Sequence, residues 1–201
     1  MTVPDVAALL ETADRVMVGI AGPPGAGKTT LARTLVHEFS TTLGADAVGY
    51  VPMDGFHLSN AVLERLGRRD RKGAHDTFDA VGFVATLARI AYGETVFVPD
   101  FDHTNGEPIA ASLIVPATAR LVVVEGNYLG LDQPGWRDVR PLLRRLIYVD
   151  ADDAVRRERL RQRHMAAGKT DADARAWIEA VDQPNAELID TTRARADTIV
   201  D

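Results

Sequence analysis

Residues 22–30 read Gly-Pro-Pro-Gly-Ala-Gly-Lys-Thr-Thr, and this stretch constrains the fold more than any other in the chain. It fits G-x-x-x-x-G-K-[ST], with Gly22, Gly27, Lys28 and Thr29 at the fixed positions. Glycines without Cβ atoms let successive backbone N–H groups converge on phosphate oxygens. The pattern carries that meaning where a strand precedes it and a helix follows. Val16 to Ile20 is a nearly continuous apolar run, and Leu31, Leu35 and Phe39 recur at i, i+4 and i+8. The segment therefore predicts a phosphate-binding loop. Gly22, Pro23, Pro24, Gly25, Ala26, Gly27, Lys28, Thr29 and Thr30 would surround the phosphates of a nucleotide. Lys28 is expected to reach the β- and γ-phosphates, and the Thr29 hydroxyl to ligate Mg²⁺.

Further apolar runs occur at 47–53, 95–98, 121–124, 146–149 and 198–200. Such runs suit strands buried on both faces of a parallel sheet. Helical patterns lie around them, at 4–13 with Pro4 near the first turn, on the Phe83, Leu87 and Ile90 stripe, and at 152–167 and 171–182. Gly168 separates the last two, and Thr170 with Asp173 resembles a capping box. Strands alternating with helices predict an α/β fold with a doubly wound sheet, whose ligands sit at the carboxyl ends of the strands.

The 201 residues, 46% of them hydrophobic, suit a single domain over 1–201. Lys plus Arg number 23 and Asp plus Glu 29, a net charge of −6. That balance argues against general binding of nucleic acid or of an anionic membrane, so a bound anion needs local cations. The absence of cysteine excludes disulfides, thiolate metal sites and cysteine nucleophiles, and suits a reducing cytoplasm. No apolar run approaches the roughly 18 residues of a membrane span. Met1 to Arg15 lacks a basic n-region, so no signal peptide is expected.

No Asn-Lys-x-Asp segment is present to read guanine, which leaves ATP. Asp54 ends the second strand pattern, where a carboxylate would face the phosphate loop and accept the proton of an attacking hydroxyl. An Asp before Gly55 also suits a plain turn. Glu125 follows Leu121-Val122-Val123-Val124 at a strand end, a position near Mg²⁺. Arg159 and Arg163 share one helix face and could clamp a γ-phosphoryl group like a lid over about 156–170. Arg156, Arg157 and Arg161 read as a solvated, ion-paired face.

The order of these elements resembles the uridine kinase, phosphoribulokinase and bacterial pantothenate kinase superfamily. The residues that carry it are the phosphate loop, Met53-Asp54-Gly55-Phe56, Val122-Val123-Val124-Glu125-Gly126 and the Arg-rich segment. Asp54 through Asp79 and Pro99-x-Phe101-x-His103 look most like pantothenate kinases, as do Trp177 and Asn185. The length and the closing Asp182 to Ile189 look most like short bacterial members labelled nucleoside kinase-like or fructose-transport kinase-like. The resemblance implies a three-layer αβα P-loop kinase with a parallel five-stranded core sheet and a helical lid, using ATP and Mg²⁺. It implies Asp54 as base, Arg159 or Arg163 as lid arginine, and His103 and Asn185 on the substrate. A homodimer is a family-level expectation. Phe56, His57, Phe78, Phe101 and Tyr128 are candidates to line the acceptor pocket, and each is equally credible as core packing. The expected activity is phosphoryl transfer from ATP to an alcohol group of a small metabolite. The alternatives are an ATP-binding regulatory module and a partner-coupled ATPase.

Overall fold

Val16, Val18 and Ile20 point to one face of β1 (Val16–Ala21), and Met17 and Ala21 point to the other. In the computed structural model, which describes residues 3–201, both faces are covered and every residue of β1 is buried. Met1 and Thr2, at the start of the segment expected to lack a signal peptide, lie outside the described residues. Four more strands run parallel to β1: β2 (Val48–Pro52), β5 (Leu121–Glu125), β6 (Arg145–Val149) and β7 (Thr198–Val200). Their spatial order is β2-β5-β1-β6-β7. Burial on both sides is why four of them read as unbroken apolar runs. β7, at the edge, is only half-buried.

On one face α1 (Val3–Leu10) and α2 (Lys28–Leu43) bring Val6, Leu35 and Phe39 against Val18, Ile20 and Val123. On the other, Phe83, Leu87 and Ile90 of α4 (Ala80–Ala91) and Ile189 of α7 (Gln183–Asp190) join Val122, Val124 and Leu146. The result is the three-layer fold with a five-stranded parallel core. No helix among the described residues is long and apolar enough to cross a membrane.

Three sequence expectations need correction. The first helix stops at Leu10 rather than 13, because both the backbone N–H and the hydroxyl of Thr12 donate to the Leu9 carbonyl. The run at 95–98 does not join the parallel sheet. It opens β3 (Val96–Asp102), which pairs antiparallel with β4 (Glu107–Val115) in a separate two-stranded ribbon. An apolar run alone cannot tell these fates apart, although Asn105-Gly106, with Gly106 at φ 67°, is a hairpin signal. Finally, the helix expected at 171–182 is α6 (Asp171–Trp177) followed by a π-helical turn, Ile178–Asp182, that leads into α7. Pro184 at the start of α7 has no N–H to donate to the preceding turn. Two further helices are α3 (Asn60–Arg65) and α5 (Asp153–Ala166).

The ribbon is irregular. Val98 pairs with Leu113 and Asp100 with Ile109, so Pro99 alone faces Ala110, Ala111 and Ser112. Ala111 takes the left-handed conformation, φ 53°, to absorb this bulge. Pro99 lies directly over the turn that follows β2. A Cβ on Gly55 would stand 2.2 Å from the Pro99 carbonyl oxygen. Glycine at 55 is therefore what lets the ribbon close onto that turn. Gly55→Ala should cost about 1–3 kcal/mol in urea unfolding, the usual range for overpacking. An unchanged midpoint and slope would show that the ribbon yields freely.

Candidate active site

The phosphate loop leaves β1 at Ala21 and turns through Gly22, Gly25 and Gly27, all at positive φ. Gly27 is the N-cap of α2 and offers no side chain to the first turn, whose N–H groups are left for a ligand. Lys28 is 7% exposed, and its ammonium donates to the Pro23 carbonyl at 3.0 Å. Burial pulls its pKa down to about 8, against the opposing pull of Glu125 and Asp54.

Strand register brings the acids to that ammonium. Glu125 is level with Ile20 of β1 and with Pro52 of β2, so three strands end together. Its carboxylate is buried and accepts from the Tyr50 hydroxyl at 3.1 Å. Burial pushes the Glu125 pKa up, while Lys28 and the hydroxyls of Tyr50 and Thr29 favour its ionised form. Burial and the Glu125 charge push the Tyr50 phenol above its ordinary range. Asp54 sits in the Met53–Phe56 turn just past β2, with its side chain 42% exposed, and its charge reaches Lys28, Glu125 and Tyr50.

Helix α5 closes the other side. Arg163 and Arg159 line a cavity of about 180 Å³ with Gly25, Gly27, Lys28, Thr29 and Thr30. Arg159 also donates to the Gly25 carbonyl at 3.2 Å. Arg157 and Arg161 are ion-paired at the surface, as expected, with Asp153, Glu179, Glu158 and Asp171. Arg156 differs from that expectation. It is buried, pairs with Asp153 and donates to the Pro24 carbonyl at 3.0 Å, so it props the phosphate loop from behind.

Next to Asp54, residues 56–58 pair with 77–79 through Leu58 to Thr77 and Asp79 to Phe56. His57 stacks between Phe78 and Phe101, with ring centroids at 3.9 and 4.7 Å, and its Nδ1 lies 2.9 Å from the Asp54 carbonyl oxygen. Burial holds the His57 pKa below its ordinary value. Phe101 in turn contacts the exposed His103 at 5.2 Å. Phe56 and Tyr128 fall on the packing side of the two readings the sequence left open. Phe56 lies edge-on to Phe83, and Tyr128 is fully buried with its hydroxyl donated to the Gly73 carbonyl at 2.7 Å. Asn185 lies buried on α7, one turn beyond Asp182, which is hydrogen-bonded to His164 of α5 at 2.7 Å.

Tyr50 and Arg156 were missed by the sequence reading. Tyr50 gave a signal, as the polar-tipped residue in an aliphatic strand two positions before its end. Arg156 gave none, since it is one of several arginines in the same short helical stretch.

A polyphosphate fits this donor set: a buried ammonium hydrogen-bonded to a neutral carbonyl, an uncapped helix start and two arginines. The Thr29 hydroxyl and the Glu125 carboxylate are oxygen donors of the kind Mg²⁺ takes alongside substrate phosphates and water. Among the described residues no group of three or more His, Cys, Asp or Glu forms an all-protein metal cage.

Comparison with known proteins agrees. The sequence profile of the Phosphoribulokinase / Uridine kinase family matches residues 17–201. A Schizosaccharomyces pombe protein named as a putative uridine kinase is 32% identical over 200 residues, covering 96% of this chain and 85% of that protein. The uncharacterized protein YggC of Escherichia coli is 34% identical over 187 residues, covering 93% and 78%. A crystal structure described as a putative fructose transport system kinase from Silicibacter sp. TM1040 superposes over 100% of both chains, with TM-score 0.89 and 35% identity. YFH7 from Saccharomyces cerevisiae, at 20% identity and TM-score 0.81 over 100% of this chain and 98% of that one, shares the fold. The phosphate loop, the strand-end acids and these matches together assign the chain to the Phosphoribulokinase / Uridine kinase family of P-loop kinases.

Proposed function

We propose that this kinase transfers the γ-phosphoryl group of ATP to an alcohol group of a small metabolite. The observation that carries the reading is the half-exposed Asp54 carboxylate, opposite a buried Lys28 and Glu125 at the carboxyl ends of the strands. A regulatory nucleotide site needs no such carboxylate. In the reaction Asp54 accepts the proton of the acceptor hydroxyl as its oxygen attacks the γ-phosphorus. The loop N–H groups and Lys28 hold the β- and γ-phosphates as ADP leaves. Mg²⁺, held by Thr29 and through Glu125, would supply charge neutralisation of the phosphate oxygens.

The two arginines divide the remaining work. Arg159 is tied to the Gly25 carbonyl and orders the loop, whereas Arg163 faces the cavity beside Lys28. Arg163 is therefore the arginine for the transferring group, and α5 with the turn after it serves as the lid that excludes water. The protein acts as one domain, with the acceptor as its partner rather than nucleic acid or membrane.

Three outcomes are expected. Asp54→Asn should lower kcat about 10²- to 10⁴-fold, the span of general-base catalysis, with ATP affinity by calorimetry unchanged. Loss of ATP binding instead would remove Asp54 from the chemistry. Arg163→Ala should lower kcat about 10²-fold or more, and Arg159→Ala should chiefly raise the KM for ATP. The reverse pattern would exchange their roles. The ammonium of Lys28 is the phosphate-binding form, so ATP affinity of the free protein should fall as pH rises through about 8. Lys28→Met should bind ATP weakly at all pH values, and a wild-type profile without that fall would contradict the assignment.

A further inference from the structure

One stripe of α5 is turned inward: Arg156, Leu160 and His164, spaced i, i+4 and i+8. Arg156 donates to the Pro24 carbonyl, and a Cβ on Gly25 would meet Leu160 Cγ at 3.2 Å. Those two contacts hold the first turns of α5 against the phosphate loop. His164 lies in the last turn and has a different partner. Its Nε2–H donates to Asp182 Oδ2 at 2.7 Å, and the two side chains are only 14% and 10% exposed. Asp182 closes the π-helical turn Ile178–Asp182, which takes in about one residue more per turn than an α-helix. The other ion pairs between α5 and the segment after it are Arg157 with Glu179 and Arg161 with Asp171. Both carboxylates are exposed, and pairs of that kind hold little.

Arg163 immediately precedes His164. It lines the cavity with Lys28, Thr29 and Thr30, and it makes no ion pair among the described residues. Arg159 is tied to the Gly25 carbonyl, and Arg163 has no such tie among the described residues. Its guanidinium is therefore placed by the backbone that carries it. The anchor of that backbone is the next side chain, His164. The imidazole is also packed, since Trp177 of α6 lies edge-on to it with ring centroids at 6.5 Å, and the Lys169 ammonium lies 4.5 Å over the Trp177 ring. Without the imidazole the Asp182 carboxylate would be buried without a donor, a costly state that is relieved by moving apart. The last turn of α5 would then be loose, and Arg163 with it.

We propose that His164 is a positioning residue for phosphoryl transfer: its bond to Asp182 fixes the last turn of α5 and so holds the Arg163 guanidinium opposite the γ-phosphoryl group. His164 itself touches neither nucleotide nor acceptor. This rests on the kinase reading above for the role of Arg163 and adds the pair that keeps that arginine in place. A group that stabilises transferring charge works only within a fraction of an ångström of its productive place, so its support is as consequential as its own charge.

The test needs no acceptor. The full chain with Mg²⁺ is titrated by calorimetry with ADP and with AMP-PNP, an ATP analogue that keeps a γ-phosphoryl group and is not turned over. Arg163→Ala should lower AMP-PNP affinity about 10- to 100-fold, the worth of a charge-assisted hydrogen bond, and leave ADP affinity unchanged. His164→Phe, similar in size but without a donor, should lower AMP-PNP affinity about 10-fold, again with ADP unchanged. Asp182→Ala breaks the same bond without orphaning a buried carboxylate and should give the same selective loss. His164→Gln, whose amide can still donate to Asp182, should return AMP-PNP affinity toward wild type. Added to Arg163→Ala, His164→Phe should cost nothing more, because both act through one guanidinium. Trp136 is fully buried and Trp177 half-buried, so acrylamide quenching reads Trp177. Quenching should rise in His164→Phe and Asp182→Ala but not in His164→Gln. Equal losses for the two nucleotides, a further loss in the Arg163→Ala background, unchanged quenching, or failure of both His164→Phe and Asp182→Ala to fold would make the pair a plain staple and overturn the proposal. So would an Arg163→Ala variant with undiminished AMP-PNP affinity. Each of these leaves the kinase reading standing. A wild-type chain that binds neither nucleotide overturns both.

Discussion

An ammonium group buried at the carboxyl end of a parallel sheet is expensive to keep charged, and the arrangement around Lys28 answers that cost. Burial alone would strip its proton. Glu125 and Asp54 oppose the loss, and both arrive by backbone register rather than by flexible reach. Glu125 faces the converse problem, since burial favours its neutral form, and the charge on Lys28 opposes that shift in part. The pair is thus mutually dependent, and the exposed side of Lys28 is left to the phosphates. Arg156 completes the arrangement from behind, fixing the Pro24 carbonyl without taking any of the space in front.

The two halves of the site are built in different ways. The nucleotide half is chiefly backbone: glycine turns, a helix start and strand ends. The acceptor half is chiefly side chains, with aromatic and imidazole rings stacked from a turn, a loop and the tip of a ribbon. Backbone geometry tolerates little substitution, whereas side chains on loops can be exchanged without rebuilding the sheet. Substrate identity in such a fold therefore rests on the second half.

That division also explains what was legible in the sequence. The phosphate loop, Asp54 and Glu125 could be read because each is defined by residues adjacent in the chain, an apolar strand and the polar residue that ends it. His164 gained its position from Trp177 and Asp182, which belong to the segment after α5 rather than to its own helix. Arg156 and Arg157 are neighbours of the same type, and only the phase of α5 against Pro24 buries one and leaves the other half-buried. Phe56 and Tyr128 show the same limit. An aromatic residue beside a functional turn can face the ligand or the core, and the choice is made by Phe83 and Gly73.

The bulge at Ala111 bears on a different hazard. β4 pairs with β3 on one side, and among the described residues it has no strand partner on the other. From Pro108 to Val115 it carries no charged side chain, and Ile109 and Ile114 are largely exposed. A flat strand of that composition would template another strand and seed aggregation. A left-handed residue at its centre breaks the spacing of the free N–H and C=O groups, so an incoming chain meets two short, misaligned halves. The kink that seats the ribbon over the Asp54 turn also guards the outer margin of the molecule against self-association.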